Sequence, residues 1–304
     1  MNYILKAKIQ RIISGLPKGE VVNYFFQKYI TKSLPIPIEE FKVKLETVKV
    51  HLENLKKFGN SEIKDSVYYE IGAGYDMVIP ISMSVQGFKK LICIDVRMLT
   101  FMDLLNDSIK KIDSLNNPLI QLSYKQKNAN FTKGNFLSIF KGLFNIEYLA
   151  PADARKSGLK ENSIDYVVTN AVMEHIPASI LQDIMSETFR IMKPGAVMSN
   201  IIDYRDHFAY FDSEINYYNY LTFDSAEWKK INPDIMHQNR LRHKDYTEAA
   251  LKAGFEIVKN ETTLPDANLS EKFLKMKFSK EFTDKYTQDE LKILGSQLVL
   301  RKPI

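Results

Sequence analysis

Val67-Tyr68-Tyr69-Glu70-Ile71-Gly72-Ala73-Gly74-Tyr75-Asp76 is an apolar β-type run that breaks into two glycines and then a helix-like segment. It predicts a strand, a tight turn and a helix, the opening unit of a βαβ fold that holds a nucleotide-like ligand. Gly72 and Gly74 allow the sharp bend and a close backbone approach, because no Cβ stands in the way. Glu70 closes the strand with a carboxylate that can accept hydrogen bonds or pair with a cationic ligand group.

The same ten residues narrow the ligand. A dinucleotide fingerprint wants glycine at its first, third and sixth positions, so that a pyrophosphate reaches the helix N-terminus. Here the sixth position is Met77, and Asp76 beside it repels a phosphate. The bend suits a ligand without phosphate there, and Glu70 suits one that carries an amine. S-adenosylmethionine, cationic at its amino group and its sulfonium, meets both conditions.

The rest of the composition sets limits. At 304 residues, 45% hydrophobic and 26% charged, the chain can bury a large core and reads as one main domain with decoration. The single Cys93 lies in an apolar strand-like run, which excludes a disulfide framework or a cysteine zinc site and is consistent with a reducing cytoplasmic location. Lys6, Lys8 and Arg11 interrupt the apolar start, so no signal peptide is expected, and no later segment is long and apolar enough for a membrane span. The net charge of +5 leaves an anionic substrate or peripheral membrane contact open. Nucleic acid is a poor candidate, because no basic stripe interleaves with the aromatics.

Along the chain, residues 1–62 read as an N-terminal helical extension that either covers the core or shares in an acceptor pocket. Leu5, Ile9, Ile12, Ile13 and Leu16 form the expected apolar face of its first helix, which Pro17 and Gly19 end. Residues 63–304 form the main domain, with insertions at about 116–145 and 208–245. After the glycine bend, Val78 to Val85 predicts a helix and Leu91 to Asp95 a buried parallel strand ending in an acid. Asp95 stands where a carboxylate grips the ribose hydroxyls of an adenosine, or else caps the next helix. Strands are expected at Ile146–Leu149, Ile164–Thr169, Ala196–Asp203, Phe255–Thr263 and Gln297–Leu300. Phe189 to Gly195 reads as a helix end with a turn, and Asp245-Tyr246-Thr247-Glu248 as a capping-box helix start. Asp153-Ala154 is either an adenine clamp or an N-cap. Asn170 to Pro177 follows a strand directly and should face cofactor and acceptor.

Taken in order, Glu70-Ile71-Gly72-Ala73-Gly74, Asp95, Asp153-Ala154, Ser163 to Val168, Met173-Glu174-His175-Ile176 and Lys193-Pro194-Gly195 resemble a class I S-adenosylmethionine-dependent methyltransferase of the Rossmann-like type. The resemblance covers about residues 65–203, in the family's order and spacing. It departs at Asp76, where many relatives have a third glycine. It implies a seven-stranded, mostly parallel sheet with helices on both faces, and S-adenosylhomocysteine as product. It also implies that Glu70, Gly72, Ala73 and Gly74 hold the methionine end, Asp95 the ribose with Val96 beside it, and Asp153 with Ala154 the adenine. Asn170 and Ala171 would line the floor below the sulfonium, with His175 beside the cofactor as a pocket wall or a catalyst.

The segment Asp203-Tyr204-Arg205-Asp206-His207-Phe208 leaves the sheet beside the expected transfer site. His207 is the expected general base, with Asp206 as orienting carboxylate. The alternatives are a divalent metal held by these groups and a plain loop cap; no metal is expected. The insertion that follows is rich in aromatics, Tyr210, Tyr217, Tyr218, Tyr220 and Trp228 among them. They would stack on a sugar or apolar ring or pack as an ordinary lid, while Arg240, Arg242 and His243 could meet an anion. With Leu16-Pro17-Lys18-Gly19 and Ser33-Leu34-Pro35, this resembles bacterial methyltransferases of surface-polysaccharide synthesis, which implies a saccharide or other small-molecule acceptor.

Overall fold

The computed structural model describes residues 2–304. Three helices open the chain: α1 (Tyr3–Ser14), α2 (Gly19–Phe25) and α3 (Ile38–Phe58). β1 (Val67–Ile71), α4 (Val78–Ser84), β2 (Lys90–Ile94) and α5 (Met102–Leu115) follow as the predicted βαβα unit. The insertion at 116–145 carries α6 (Tyr124–Lys127) and α7 (Phe136–Leu143), and then come β3 (Ile146–Leu149), β4 (Ile164–Asn170), α8 (Ala178–Ile191) and β5 (Met192–Asp203). The second insertion holds α9 (Ser225–Ile231), and α10 (His243–Ala253), β6 (Glu256–Thr263) and β7 (Gly295–Arg301) complete the sheet.

The seven strands run in the order β3-β2-β1-β4-β5-β7-β6, with β7 antiparallel to both neighbours. β2 and β4 flank β1 on opposite sides, so the chain reverses direction across the sheet there, and a crevice opens outside the carboxyl ends of these strands. Apolar side chains pack on both faces. α3, α4 and α5 cover one face with Phe41, Val48, Ile81 and Leu105, and α8 and α10 cover the other with Ile184, Met185 and Tyr246. The architecture is the expected Rossmann-like one, and α3 is an integral layer of it. No helix among the described residues is long and apolar enough to cross a membrane.

Three local expectations fail. α1 buries Lys6, Ala7, Gln10 and Ile13 and leaves Leu5, Ile12 and Leu16 at the surface, 53%, 69% and 46% exposed. The cause is docking: Arg11 donates to the carbonyls of Lys229 and Lys230, and Ser14 accepts from Ile235, so α1 lies on the second insertion by its polar side. Lys193-Pro194-Gly195 is not a turn. α8 ends at Ile191, and a bulge with Gly195 at φ +76° carries these residues into β5. α10 starts before Asp245, whose carboxylate accepts from the Arg242 backbone N–H at 2.7 Å, as a residue in the first turn does.

Candidate functional site

The glycine bend is built as its residue types require. Gly72 and Gly74 have φ of +79° and +76°, and a Cβ on Gly72 would stand 2.5 Å from Val172 Cγ2, whereas one on Gly74 would meet open space. The bend is thus tight against the loop after β4 on one side and open on the other. Asp76 turns toward α3 and pairs with Lys44 at 2.6 Å.

Both strand-tip acids sit at this bend. Glu70 accepts from the Tyr68 hydroxyl at 2.6 Å, and burial pushes its pKa up to about 8. Asp95 Oδ2 accepts from the Ala73 N–H and the Tyr148 hydroxyl, each at 3.1 Å. Both bonds fall on one oxygen, and Oδ1 shares in neither. Burial raises the Asp95 pKa to about 6 against the pull of these two donors. Val96, the next residue but one after β2, is 69% exposed beside it.

Asp153 is an N-cap. It caps the turn Ala154–Lys156, accepting from the Arg155 N–H at 2.9 Å, and its carboxylate also holds the Arg155 guanidinium, which keeps its pKa low. The Asp95 carbonyl accepts from the Ala152 N–H at 2.8 Å, so this loop is tied to the tip of β2.

Asn170 ends β4 with its Oδ1 buried beside His51, and Ala171 follows at φ +50°, a conformation that side chains with a Cβ rarely adopt. Beneath this floor lies His51 of α3, which sequence reading missed. It is fully buried, its Nδ1 is 2.9 Å from Ser199 Oγ, and burial lowers its pKa to about 4.

The loops after β4 and β5 bring Glu174, His175 and His207 together, with one nitrogen or carboxylate oxygen of each within 4.8 Å of the others. Glu174 is 2% exposed, and neither carboxylate oxygen has a hydrogen-bond partner. Burial drives its pKa well above the ordinary value. His175 Nδ1 bonds the His237 carbonyl at 2.7 Å, and burial lowers its pKa to about 4, leaving a neutral ring. His207 meets it edge to face, ring centroids 5.0 Å apart, with a buried Nε2 that has no hydrogen-bond partner.

The carboxylate beside His207 is Asp203, not Asp206. Asp203 Oδ2 lies 3.7 Å from His207 Nε2 and also accepts from Tyr210 and Arg205; against the opposing effect of burial, His207 and Arg205 hold its pKa below the usual range. Asp206 is fully buried and caps the turn His207–Tyr210, accepting from the Phe208 N–H at 2.8 Å and from Asn219 at 3.2 Å. The reason is geometric: a residue just before a tight turn aims its side chain back at the turn's N–H groups.

A small cavity opens beside His207, lined by Lys6, Gln10, Phe211, Asn232, Met236 and Gln238. Lys6 is 3% exposed, lies over the Phe211 ring, and has its pKa lowered to about 7 by burial. Both amide atoms of Gln10 are buried without partners. These two residues were missed as well; the signal is their four-residue spacing on one side of α1 with Ile13 in line, a polar stripe within a buried face.

The expected anion-binding group does not face this site. Arg242 is fully buried and donates to the carbonyls of Tyr204, Leu291 and Ile293 and to the Tyr220 hydroxyl. Arg240 stacks on Phe282 and binds the Phe223 carbonyl and Glu281, and His243 meets the Tyr204 hydroxyl. Of the aromatics, Phe208, Tyr218, Tyr220 and Trp228 are core of a third apolar cluster, while Tyr210 and Phe211 remain exposed near His207.

A family model described as a methyltransferase domain matches residues 119–199. No curated protein matches the chain by sequence. Among solved structures, the chain is similar to an S-adenosylmethionine-dependent methyltransferase from Methanosarcina mazei, with 14% identity over 82% of this chain and 97% of that one and a TM-score of 0.46. It is also similar to geranyl diphosphate C-methyltransferase from Streptomyces coelicolor, with 11% identity over 96% and 88% of the two chains and a TM-score of 0.48.

Proposed function

We propose that this chain is an S-adenosylmethionine-dependent methyltransferase that methylates an oxygen of a polar, hydroxyl-rich acceptor, a saccharide or glycan precursor. The observation that carries the cofactor reading is the meeting of Asp95 with the glycine bend. Ile71 and Ile94 are register partners, so the acids of β1 and β2 lie at one edge, and the Asp95 carboxylate bonds the Ala73 N–H between the two glycines. The match of residues 119–199 to a methyltransferase domain supports the same reading.

The residues fit the cofactor. Gly74 opens on empty space, and Asp95 Oδ1 is not used by Ala73 or Tyr148. Glu70 would take the amino group, Asp95 the ribose hydroxyls, and Asn170 with Ala171 the floor. When bound, the sulfonium supplies an already activated methyl group. The protein's own work is then to align the acceptor and exclude water.

His207 takes the acceptor's proton at Nε2 where the hydroxyl lies directly against it, with Asp203 stabilising the resulting imidazolium. Gln10 and Lys6 border the small cavity beside His207, where a polar group of the acceptor would meet them. A transfer assay with labelled cofactor and a panel of nucleotide sugars tests this reading; cofactor retention without any methylated product would leave only a binding protein.

The exposed stripe of Leu5, Ile12 and Leu16 favours a second reading, an acceptor presented on a lipid. Lipid-linked and free saccharides compared in one assay separate the two.

A further inference from the structure

We infer that Glu174, His175 and His207 form a binding site for one divalent first-row transition cation, which takes an oxygen of the acceptor as a further ligand. The first ground is geometry, since the three side chains converge from two loops to within 4.8 Å. The second is chemistry left undone: both oxygens of a carboxylate that is 2% exposed have no hydrogen-bond partner, nor has Nε2 of His207, from which Asp203 Oδ2 stands off at 3.7 Å. Buried polar groups in folded proteins are nearly always partnered, so a cluster that holds these three atoms lacks something that accepts lone pairs.

The surroundings agree. His175 gives Nδ1 to the His237 carbonyl, which as an N–H donor leaves the Nε2 lone pair free, the tautomer of a metal-bound imidazole whose other nitrogen is held by a backbone carbonyl. Asp203 Oδ2 faces the same His207 Nε2 at 3.7 Å and is itself fixed by Arg205 and Tyr210, so a second carboxylate borders the site. Two imidazoles and one carboxylate suit manganese, iron, cobalt, nickel or zinc rather than calcium or magnesium, which prefer oxygen ligands. Three protein ligands leave coordination positions for a hydroxyl, or for both oxygens of a vicinal diol.

The role at the acceptor rests on the methyltransferase reading and deepens it. A hydroxyl held by the cation becomes more acidic and loses its proton to water, and its oxygen lone pair then forms the bond to the methyl carbon as the carbon–sulfur bond breaks with its electrons on sulfur. His207 is a ligand in this form of the site, and direct proton transfer to it is the cation-free form.

The test uses the full chain, stripped with a chelator and titrated with Mn2+ by calorimetry and electron paramagnetic resonance, with S-adenosylhomocysteine binding measured on the same samples. Wild-type protein should take up one equivalent of Mn2+. Glu174→Gln, which keeps the side-chain volume, and His207→Ala should each weaken uptake by about 100-fold or more, beyond what loss of an outer partner usually costs. Their affinity for S-adenosylhomocysteine should stay within about 2-fold of wild type, which also reports an intact fold. Nitrogen couplings from two imidazoles should appear in the wild-type spectrum, and one should vanish in His207→Ala. No saturable uptake by wild type, or unchanged uptake by Glu174→Gln, overturns the site. Mn2+ uptake with these losses but no S-adenosylhomocysteine binding would uphold the cation site and break the methyltransferase reading instead.

Discussion

The two halves of the carboxyl edge are finished to different degrees. At the tips of β1 and β2 the acids already have donors: Tyr68 for Glu70, and Ala73 with Tyr148 for Asp95. At the tips of β4 and β5, Glu174 and His207 keep buried polar atoms without hydrogen-bond partners, and Gln10 does the same across the cavity. The first half is a preformed cradle whose shape the backbone sets. The second is held open by its scaffold until something polar arrives. An unpartnered buried group costs about 1–3 kcal/mol, so the second half sacrifices stability that the first does not.

The scaffold of the unfinished half offers the largest effect. Arg242→Ala removes the donor to four buried acceptors and should cost about 3–5 kcal/mol in denaturant unfolding. A loss below about 1 kcal/mol would mean that the second insertion stands without this anchor. Next, His207→Ala should cut turnover by about 100-fold or more and leave cofactor affinity nearly intact. Unchanged turnover would remove His207 from the reaction, and a parallel loss of cofactor affinity would erase the distinction between the halves.

Asp95→Asn acts on the finished half. An amide cannot offer acceptors to Ala73, Tyr148 and a ribose together, so calorimetry should give cofactor binding about 10- to 100-fold weaker. The smallest effect concerns Glu70. Its folded-state pKa of about 8 lies above its ordinary value of 4.5, so the folded protein keeps a proton that the unfolded chain has lost. This group's contribution to stability is therefore largest at low pH and falls as pH rises from about 4.5 to about 8. The cofactor's amino group favours the ionised carboxylate, so affinity should rise about 5-fold from pH 7 to pH 8, and Glu70→Gln should flatten that rise.

The finished half was legible because its signals are local. Gly72, Gly74, Glu70 and Asp95 lie within one βαβ unit, where strand and turn preferences place each group relative to the sheet. The other half misled wherever local pattern competed with docking. The apolar residues of α1 marked a face that the tertiary structure leaves outside, and Asp206, adjacent to His207 in sequence, is turned away from it while Asp203 is turned toward it. Arg240 and Arg242 gave a fair anion-binding signal, yet their carbonyl partners come from segments up to about fifty residues away, which no local pattern reports.

The amino-acid sequence by itself determined the order of strands and helices, the glycine bend and the acids at the first two strand tips, because backbone preference and side-chain periodicity act over a few residues. Only the tertiary structure decided that α1 turns Lys6 and Gln10 inward, and that Glu174, His175 and His207 share one space. Those choices depend on which surfaces meet after the chain has folded back on itself, where the burial of one element is set by the shape and hydrogen bonds of another.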